Sequence, residues 1–240
     1  MEKETFVYYE TLKNRYPNVR ILTWKKEFNY SAINNFAVRE AQGEYLLFLN
    51  NDVEIITENW LEEMLQLCQQ KDVGMAGAKL YYPDDTIQHA GVVVGLGGVA
   101  AHVLCKLPRD AEGYMGRLRC VQEISAVTAA CMMVKTSVFK AVGGFDEELK
   151  VAFNDIDLCM KVRKYGVKIV FTPYAELYHY ESKSRGMEDT PEKQLRFSRE
   201  VNCFRRKWER ELLKGDPYYN PNLTLNNTDC SLRKQEKNGD

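Results

Sequence analysis

The chain has 240 residues, 45% of them hydrophobic, enough to bury the core of one large domain with an appendage. Lys and Arg number 33 and Asp and Glu 34, so the net charge of -1 excludes the basic field of a nucleic-acid binder. Seven scattered cysteines with no C-x-x-C pair exclude a zinc or dithiol signature and read as reduced thiols in the cytosol.

Met1-Glu2-Lys3-Glu4 leads into a charged segment, so no signal peptide is expected. Residues 3 to 15 read as a helix with Phe6, Tyr9, Leu12 and Tyr16 near one face, ended by Asn14 and Pro17. Residues 19 to 24 form a β-rich run. Ser31 suits the N-cap of a helix carrying Ile33, Phe36, Ala37 and Ala41, closed by Gly43. A strand follows over residues 45 to 49, then a helix from about Trp60 to Gln70 with Leu61, Met64, Leu65 and Cys68 inward. Val73 to Ala78 is another apolar run. This alternation predicts an α/β layer with a mainly parallel sheet, whose carboxyl-end loops bind ligands.

The stretch "YYPDDTIQHAGVVVGLGGVAAHV" reads as a long excursion with some strand and a mobile part. Its uncharged Ala90 to Cys105 portion holds four glycines and is too short to span a membrane. "EISAVTAACMMVK" reads as a buried strand, and Thr136 caps a short helix stopped by Gly143-Gly144. Asn154 caps a helix from Asp155 to Tyr165, ended by Gly166. Val167 to Phe171 is a strand before Pro173. Thr190-Pro191 opens a long helix that ends at Gly215. Phe197, Val201, Phe204, Trp208 and Leu212 mark its apolar side, and Arg196, Arg199, Arg206 and Arg210 the opposite one. A solvated face explains those arginines more simply than anionic lipid does.

Four places carry candidate chemistry. Asn50-Asn51-Asp52 ends an apolar strand in two amides and an acid. It fits a divalent-cation and ribose site, or an Asx turn closing the strand. In "FNDIDLC", Asp155 lies in the first turn of a helix, where the dipole keeps a carboxylate ionised and able to accept a proton from a hydroxyl. Asp157 reads better as a structural residue, and Asn154 as a cap that could also wall a site. In "ELYHYES", His179 matters only if the fold brings it near Asp52, and His89 and His102 rank below it. Lys183 and Arg185 form a cationic loop that could close on a diphosphate, or a solvated surface loop.

Together, "NNFAVREAQGEYLLFLNND", "TAACMMVKTSVFKAVGGFDEEL", "NDIDLCMKVRKYG" and "YAELYHYES" resemble family 2 glycosyltransferases, which have the GT-A fold, over roughly residues 19 to 185. The tail "DPYYNPNLT" resembles the end of cell-surface polysaccharide glycosyltransferases. The resemblance implies inverting transfer of a sugar from a nucleoside diphosphate sugar to a hydroxyl of a glycan or lipid-linked acceptor. It sets Asn50-Asn51-Asp52 on the family's D-x-D motif, with Asn50 in place of the first acid. Asp52 and His179 would then meet a Mg²⁺ or Mn²⁺ ion, and Asn50, Asn51, Lys183 and Arg185 would face the donor. Asn35 matches a donor-side position, while Asn34 and Ala37 replace the family's Arg and Gly. Asn154-Asp155 matches the Glu-Asp pair, with Asp155 as general base and Asn154 on the acceptor side.

Met1 begins at what resembles the helix after the family's second strand, so a βαβ unit on the order of 30 residues is expected to be missing. An open sheet edge would follow, and with it weak donor binding, self-association along that edge or inactivity. The expected organisation is a GT-A (Rossmann-like) domain over residues 1–186, incomplete at its start, and a helix with extended tail over 187–240. The expected location is the cytoplasm, with peripheral contact at the inner membrane face. A non-catalytic glycan or nucleotide-sugar binding fragment is the alternative. A nucleotidyltransferase is disfavoured because no P-loop is present.

Overall fold

The computed structural model describes residues 3–181 and 190–234. The elements run α1 (Lys3–Arg15), α2 (Tyr30–Glu40), β1 (Tyr45–Leu49), β2 (Val53–Ile55), α3 (Trp60–Cys68), β3 (Val73–Tyr81), β4 (Ile87–His89), β5 (Val92–Val94) and β6 (Ala100–His102). They continue with β7 (Gln122–Glu123), β8 (Cys131–Lys135), α4 (Thr136–Ala141), α5 (Asn154–Tyr165), β9 (Lys168–His179) and α6 (Pro191–Lys214).

The main sheet has the order β1-β8-β3-β9-β2, with β4 on β3 and β7 on β9. Only β3 and β9 pair in parallel; every other pair in it is antiparallel. The mainly parallel sheet expected from the alternation is therefore corrected. β1 and β3 do run the same way across α3, but β8 inserts between them in the opposite direction. Such an insertion depends on a partner some eighty residues away, which local alternation does not report.

Strand alternation fills both faces. Leu46, Phe48, Met132 and Val134 join one core, which also takes in Ile156, Leu158, Phe204 and Trp208. Tyr45, Leu47, Cys131 and Met133 face the other, against Trp60, Met64 and Cys68 of α3. Leu61, expected inward, is 39% exposed, and Trp60 and Leu67 take the inward positions instead.

Residues 19–24 form no strand in the structure. Asn29, not Ser31, caps α2, accepting a hydrogen bond from the Ala32 N–H at 3.0 Å. Ser31 instead donates to the Leu149 carbonyl at 2.6 Å. The glycine-rich stretch is not a mobile excursion but part of the core, with Val92, Val93, Val94 and Leu96 buried. β9 runs past Pro173 because the ladder jumps there. β3 advances from Gly77 to Lys79 while β9 advances from Phe171 to Glu176, so residues 172–175 leave the pairing. A proline without an N–H loses nothing in such a bulge.

Beyond α6, within residues 215–234, the chain packs onto the domain. Asp216 accepts from the Val94 N–H at 2.8 Å, and Tyr219, Leu223 and Cys230 are buried. All seven cysteines are free. Among the described residues no helix is long and apolar enough to cross a membrane.

Candidate active site

Register brings the first and third candidates together. β2 pairs with β9 at Val53 and His179, so the residue before one strand meets the end of the other. The Tyr180 N–H donates to the Asp52 carbonyl at 2.8 Å. On the side chains, His179 Nε2 lies 3.2 Å from Asp52 Oδ1 and 3.1 Å from Asn50 Nδ2. Asp52 and His179 keep 15% and 11% of their side-chain surface, so both are sheltered yet reachable from solvent. Burial holds the His179 ring below the usual imidazole range, against the pull of Asp52 and Glu181.

Asp52 Oδ1 is buried and has no hydrogen-bond partner. The close approach to His179 lacks hydrogen-bond geometry and is an ion pair only when the imidazole is protonated. An orphaned carboxylate oxygen beside an imidazole nitrogen is a donor pair that suits a divalent cation. Among the described residues no three His, Cys, Asp or Glu side chains are grouped to hold a metal ion. Two protein donors fit a cation that takes its other ligands from substrate phosphates and water.

Asp155 lies on the first turn of α5, behind a strained entry. Phe153 has φ of 61°, in the left-handed region that an aromatic residue rarely adopts. Three features of α6 hold that turn. The Phe197 and Phe204 rings pack on the Phe153 ring, with centroids 5.6 and 5.4 Å away. Glu200, only 3% exposed, accepts from the N–H groups of Val151 and Ala152 at 2.9 and 3.1 Å. The Asp155 carboxylate then accepts from the Ile156 N–H at 2.8 Å and the Ala129 N–H at 3.2 Å.

Residues 128–130 connect the two halves. The Ala130 carbonyl accepts from the Asn50 N–H at 3.0 Å, one residue from the amide that holds Asp155. The Tyr30 hydroxyl donates to the Ala129 carbonyl at 3.2 Å, and the Thr128 N–H reaches His89 Nε2 at 3.4 Å. His89 meets His102 at 3.3 Å and is pushed well below the imidazole range by burial and then by His102. Asp52, His179 and Asp155 are thus joined through short contacts around one strand-end region.

Other candidates fall elsewhere. Asn154 is 4% exposed and donates to the Val151 carbonyl at 2.9 Å, which ties its amide to the turn. Asn35 spends its amide on a neighbouring loop, donating to the Phe145 carbonyl and Glu147 and accepting from the Phe145 N–H at 2.9 Å. Asn51 is an exposed turn residue after β1. Lys183 and Arg185 lie outside the described residues. Asp157 is fully buried against Lys161, Lys207 and Trp208. Sequence reasoning passed over Gln88, Glu200 and Tyr30; a polar residue inside the buried run Ile87-Gln88-His89 was the available signal for the first. A cavity of about 820 Å³ lies apart, and shares no lining residue with Asp52, Asp155 or His179. Its Arg109 is already paired with Asp85 and Glu176.

A profile described as Glycosyltransferase like family matches residues 12–200 of the chain. The chain belongs to this family, glycosyltransferase family 2. It is 52% identical over 233 residues to the uncharacterized protein y4gI of Sinorhizobium fredii, covering 97% of this chain and 26% of that protein. To the O-antigen biosynthesis protein RfbC of Myxococcus xanthus it is 41% identical over 225 residues, covering 93% of this chain and 17% of that protein. The chain therefore spans only a minor part of these curated relatives.

Two solved structures share the fold of this chain. A mannosyltransferase of Pyrobaculum calidifontis in complex with GDP-Man and Mn²⁺ superposes with a TM-score of 0.58 at 14% identity, over 87% of this chain and 52% of that one. GalNAc-T7 with UDP, GalNAc and Mn²⁺ gives 0.63 at 14% identity, over 88% of this chain and 40% of that one. The fold is GT-A, as the sequence resemblance implied.

Proposed function

We propose that this chain is the GT-A part of an inverting glycosyltransferase of surface-polysaccharide synthesis. It moves a sugar from a nucleoside diphosphate sugar to a hydroxyl of a glycan or lipid-linked acceptor. The observation that carries the reading is the meeting of Asp52 and His179 within 3.2 Å, tied through residues 128–130 to Asp155. The kinship to a protein named for O-antigen biosynthesis supports the polysaccharide setting. The GDP-Man, UDP and Mn²⁺ named for the fold neighbours support the donor class and a divalent ion.

Asp52 Oδ1 and His179 Nε2 are the atoms that would hold Mg²⁺ or Mn²⁺. Such an ion, when bound, offsets the negative charge of the leaving diphosphate. Asn50 donates to the imidazole and stiffens it, and Asn51 sits at the exposed turn where the donor would approach. Lys183 and Arg185 are assigned to the diphosphate by their place after His179 in the sequence. Two N–H groups hold the Asp155 carboxylate at a helix N-terminus. Its remaining lone pairs take the proton of the acceptor hydroxyl as that oxygen bonds to the anomeric carbon. The carbon–phosphate oxygen bond breaks on the opposite face, which inverts the configuration.

The chain incubated with UDP-, GDP- and dTDP-sugars, Mn²⁺ and glycan or lipid-linked acceptors tests this. Product of inverted anomeric configuration by NMR is expected. Donor binding without turnover would instead make the chain a binding module. Pyrophosphate released from a nucleoside triphosphate would make it a nucleotidyltransferase.

A further inference from the structure

We propose that Gln88 is a positioning residue that fixes the tautomer of His179, so that the Nε2 lone pair faces Asp52. This deepens the reading of Asp52 and His179 as a metal pair and rests on it. Gln88 lies in the middle of β4 and is 3% exposed. Its side chain grips His179 twice. Nε2 of the amide donates to the His179 carbonyl at 3.1 Å, and Oε1 lies 2.7 Å from His179 Nδ1.

The amide orientation is set by its surroundings. A backbone carbonyl only accepts, so the amide nitrogen must face it. The same nitrogen has Glu181 Oε2 at 3.4 Å, a second acceptor. Oε1 is thereby turned to the ring, and since an amide oxygen only accepts, Nδ1 must carry the proton. A neutral imidazole protonated on Nδ1 has its lone pair on Nε2.

The opposite side of the ring agrees. Asn50 Nδ2 lies 3.1 Å from Nε2, and an N–H there can only donate, to a bare nitrogen. Two lone pairs, on Nε2 and on Asp52 Oδ1, then sit 3.2 Å apart with no proton between them. The contact lacks hydrogen-bond geometry, and Asp52 Oδ1 has no other hydrogen-bond partner. With the other tautomer, a proton on Nε2 would take up the lone pair that a cation needs.

Gln88 also has a fixed backbone. Its carbonyl lies 3.0 Å from His102 Nδ1 and accepts from Cys105 Sγ at 3.0 Å. The strand that carries the amide is therefore held by contacts of its own besides those to His179. A hydrogen bond from the second ring nitrogen is the usual way a protein orients an imidazole ligand, and its loss costs about 10–100-fold in metal affinity.

The test is nitrogen-15 NMR of the histidine rings at about pH 8, above the ordinary imidazole range. It is paired with Mn²⁺ titration, alone and with UDP. Gln88→Met keeps the length and removes both hydrogen bonds; Gln88→Glu keeps an acceptor for Nδ1–H. In the parent chain His179 is expected as the Nδ1–H tautomer alone. Gln88→Met is expected to mix tautomers and weaken Mn²⁺ binding about 10–100-fold, and Gln88→Glu to keep the Nδ1–H form. An unchanged tautomer and Mn²⁺ affinity in Gln88→Met would overturn the proposal. If that variant does not fold, Gln88→Glu decides, and an Nε2–H ring there overturns it. The metal reading fails separately if His179→Ala binds Mn²⁺ as tightly as the parent, whatever the tautomer.

Discussion

Asp155 and Asp157 stand two residues apart in one helix, and the structure gives them opposite fates. Asp157 has no exposed surface. Its Oδ1 accepts from Trp208 Nε1 at 2.9 Å and lies 2.7 Å from Lys207 Nζ. Its Oδ2 lies 3.3 Å from Lys161 Nζ, an ion pair without hydrogen-bond geometry. Asp157→Asn keeps the acceptor for Trp208 but points an NH₂ group at Lys161 and leaves that lysine's charge without its carboxylate. Breaking one partner of a buried pair costs about 3–5 kcal/mol. The lower end applies here, because Lys207 retains Asp146 and is 33% exposed, so water screens part of the loss. For a domain of this size about 3 kcal/mol lowers Tm by roughly 6–12 °C. Thermal and urea melts of the variant read this directly, with nucleotide-sugar turnover normalised to folded protein as control. A Tm within about 2 °C of the parent, or lost turnover at unchanged Tm, would refute the assignment.

Glu200→Ala leaves the amides of Val151 and Ala152 without partners just before the left-handed Phe153. It should cost about 2 kcal/mol and lower kcat about 10-fold or more with little change in donor KM, which steady-state kinetics and a melt check together. Gly77→Ala places a methyl 2.3 Å from Val127 Cγ1 and 2.5 Å from its Cβ, inside the central β3–β9 pairing. A loss of about 1–3 kcal/mol in urea unfolding is expected, and a neutral result would mean that β3 shifts freely. On the acid side, burial raises the Asp146 carboxyl, but Lys207, the Glu148 N–H and Lys161 outweigh it and hold it below the usual carboxylate range. Its contribution is therefore complete above the ordinary carboxylate value and lost as pH falls through the lower folded-state value. Lys207→Met should flatten that acid limb of the Tm–pH curve, and an unchanged limb would show that Asp146 does not drive it.

Local sequence signals were enough for β1, for α6 with its Thr190 cap, and for the turn chemistry around Gly166 and Gly215. Each depends on neighbours within a few residues. A shared site for Asp52, Asp155 and His179 was implied by the family resemblance and not by spacing; the β2–β9 register is what brings Asp52 to His179. What stayed hidden depends on distant partners. The insertion of β8 between β1 and β3 is a tertiary pairing. So is the choice of Asn29 over Ser31 as cap, since Ser31 is claimed by the Leu149 carbonyl from across the fold. Pro173 read as a strand stop until a bulge gave it a place off the ladder. Gln88 gave a local signal as a polar residue beside Ile87, but its role acquires meaning only once His179 faces it.

The most direct test compares donor binding and sugar transfer in the parent, Asp155→Asn and Asp52→Asn, with Mn²⁺ and the donor found by the nucleotide-sugar screen. Asp155→Asn should bind donor as the parent does and lose transfer by about 10²–10⁴-fold, while Asp52→Asn should lose Mn²⁺-dependent donor binding. Full transfer by Asp155→Asn, or unchanged Mn²⁺-dependent binding by Asp52→Asn, would contradict the assignment of acceptor deprotonation and diphosphate binding to these two carboxylates.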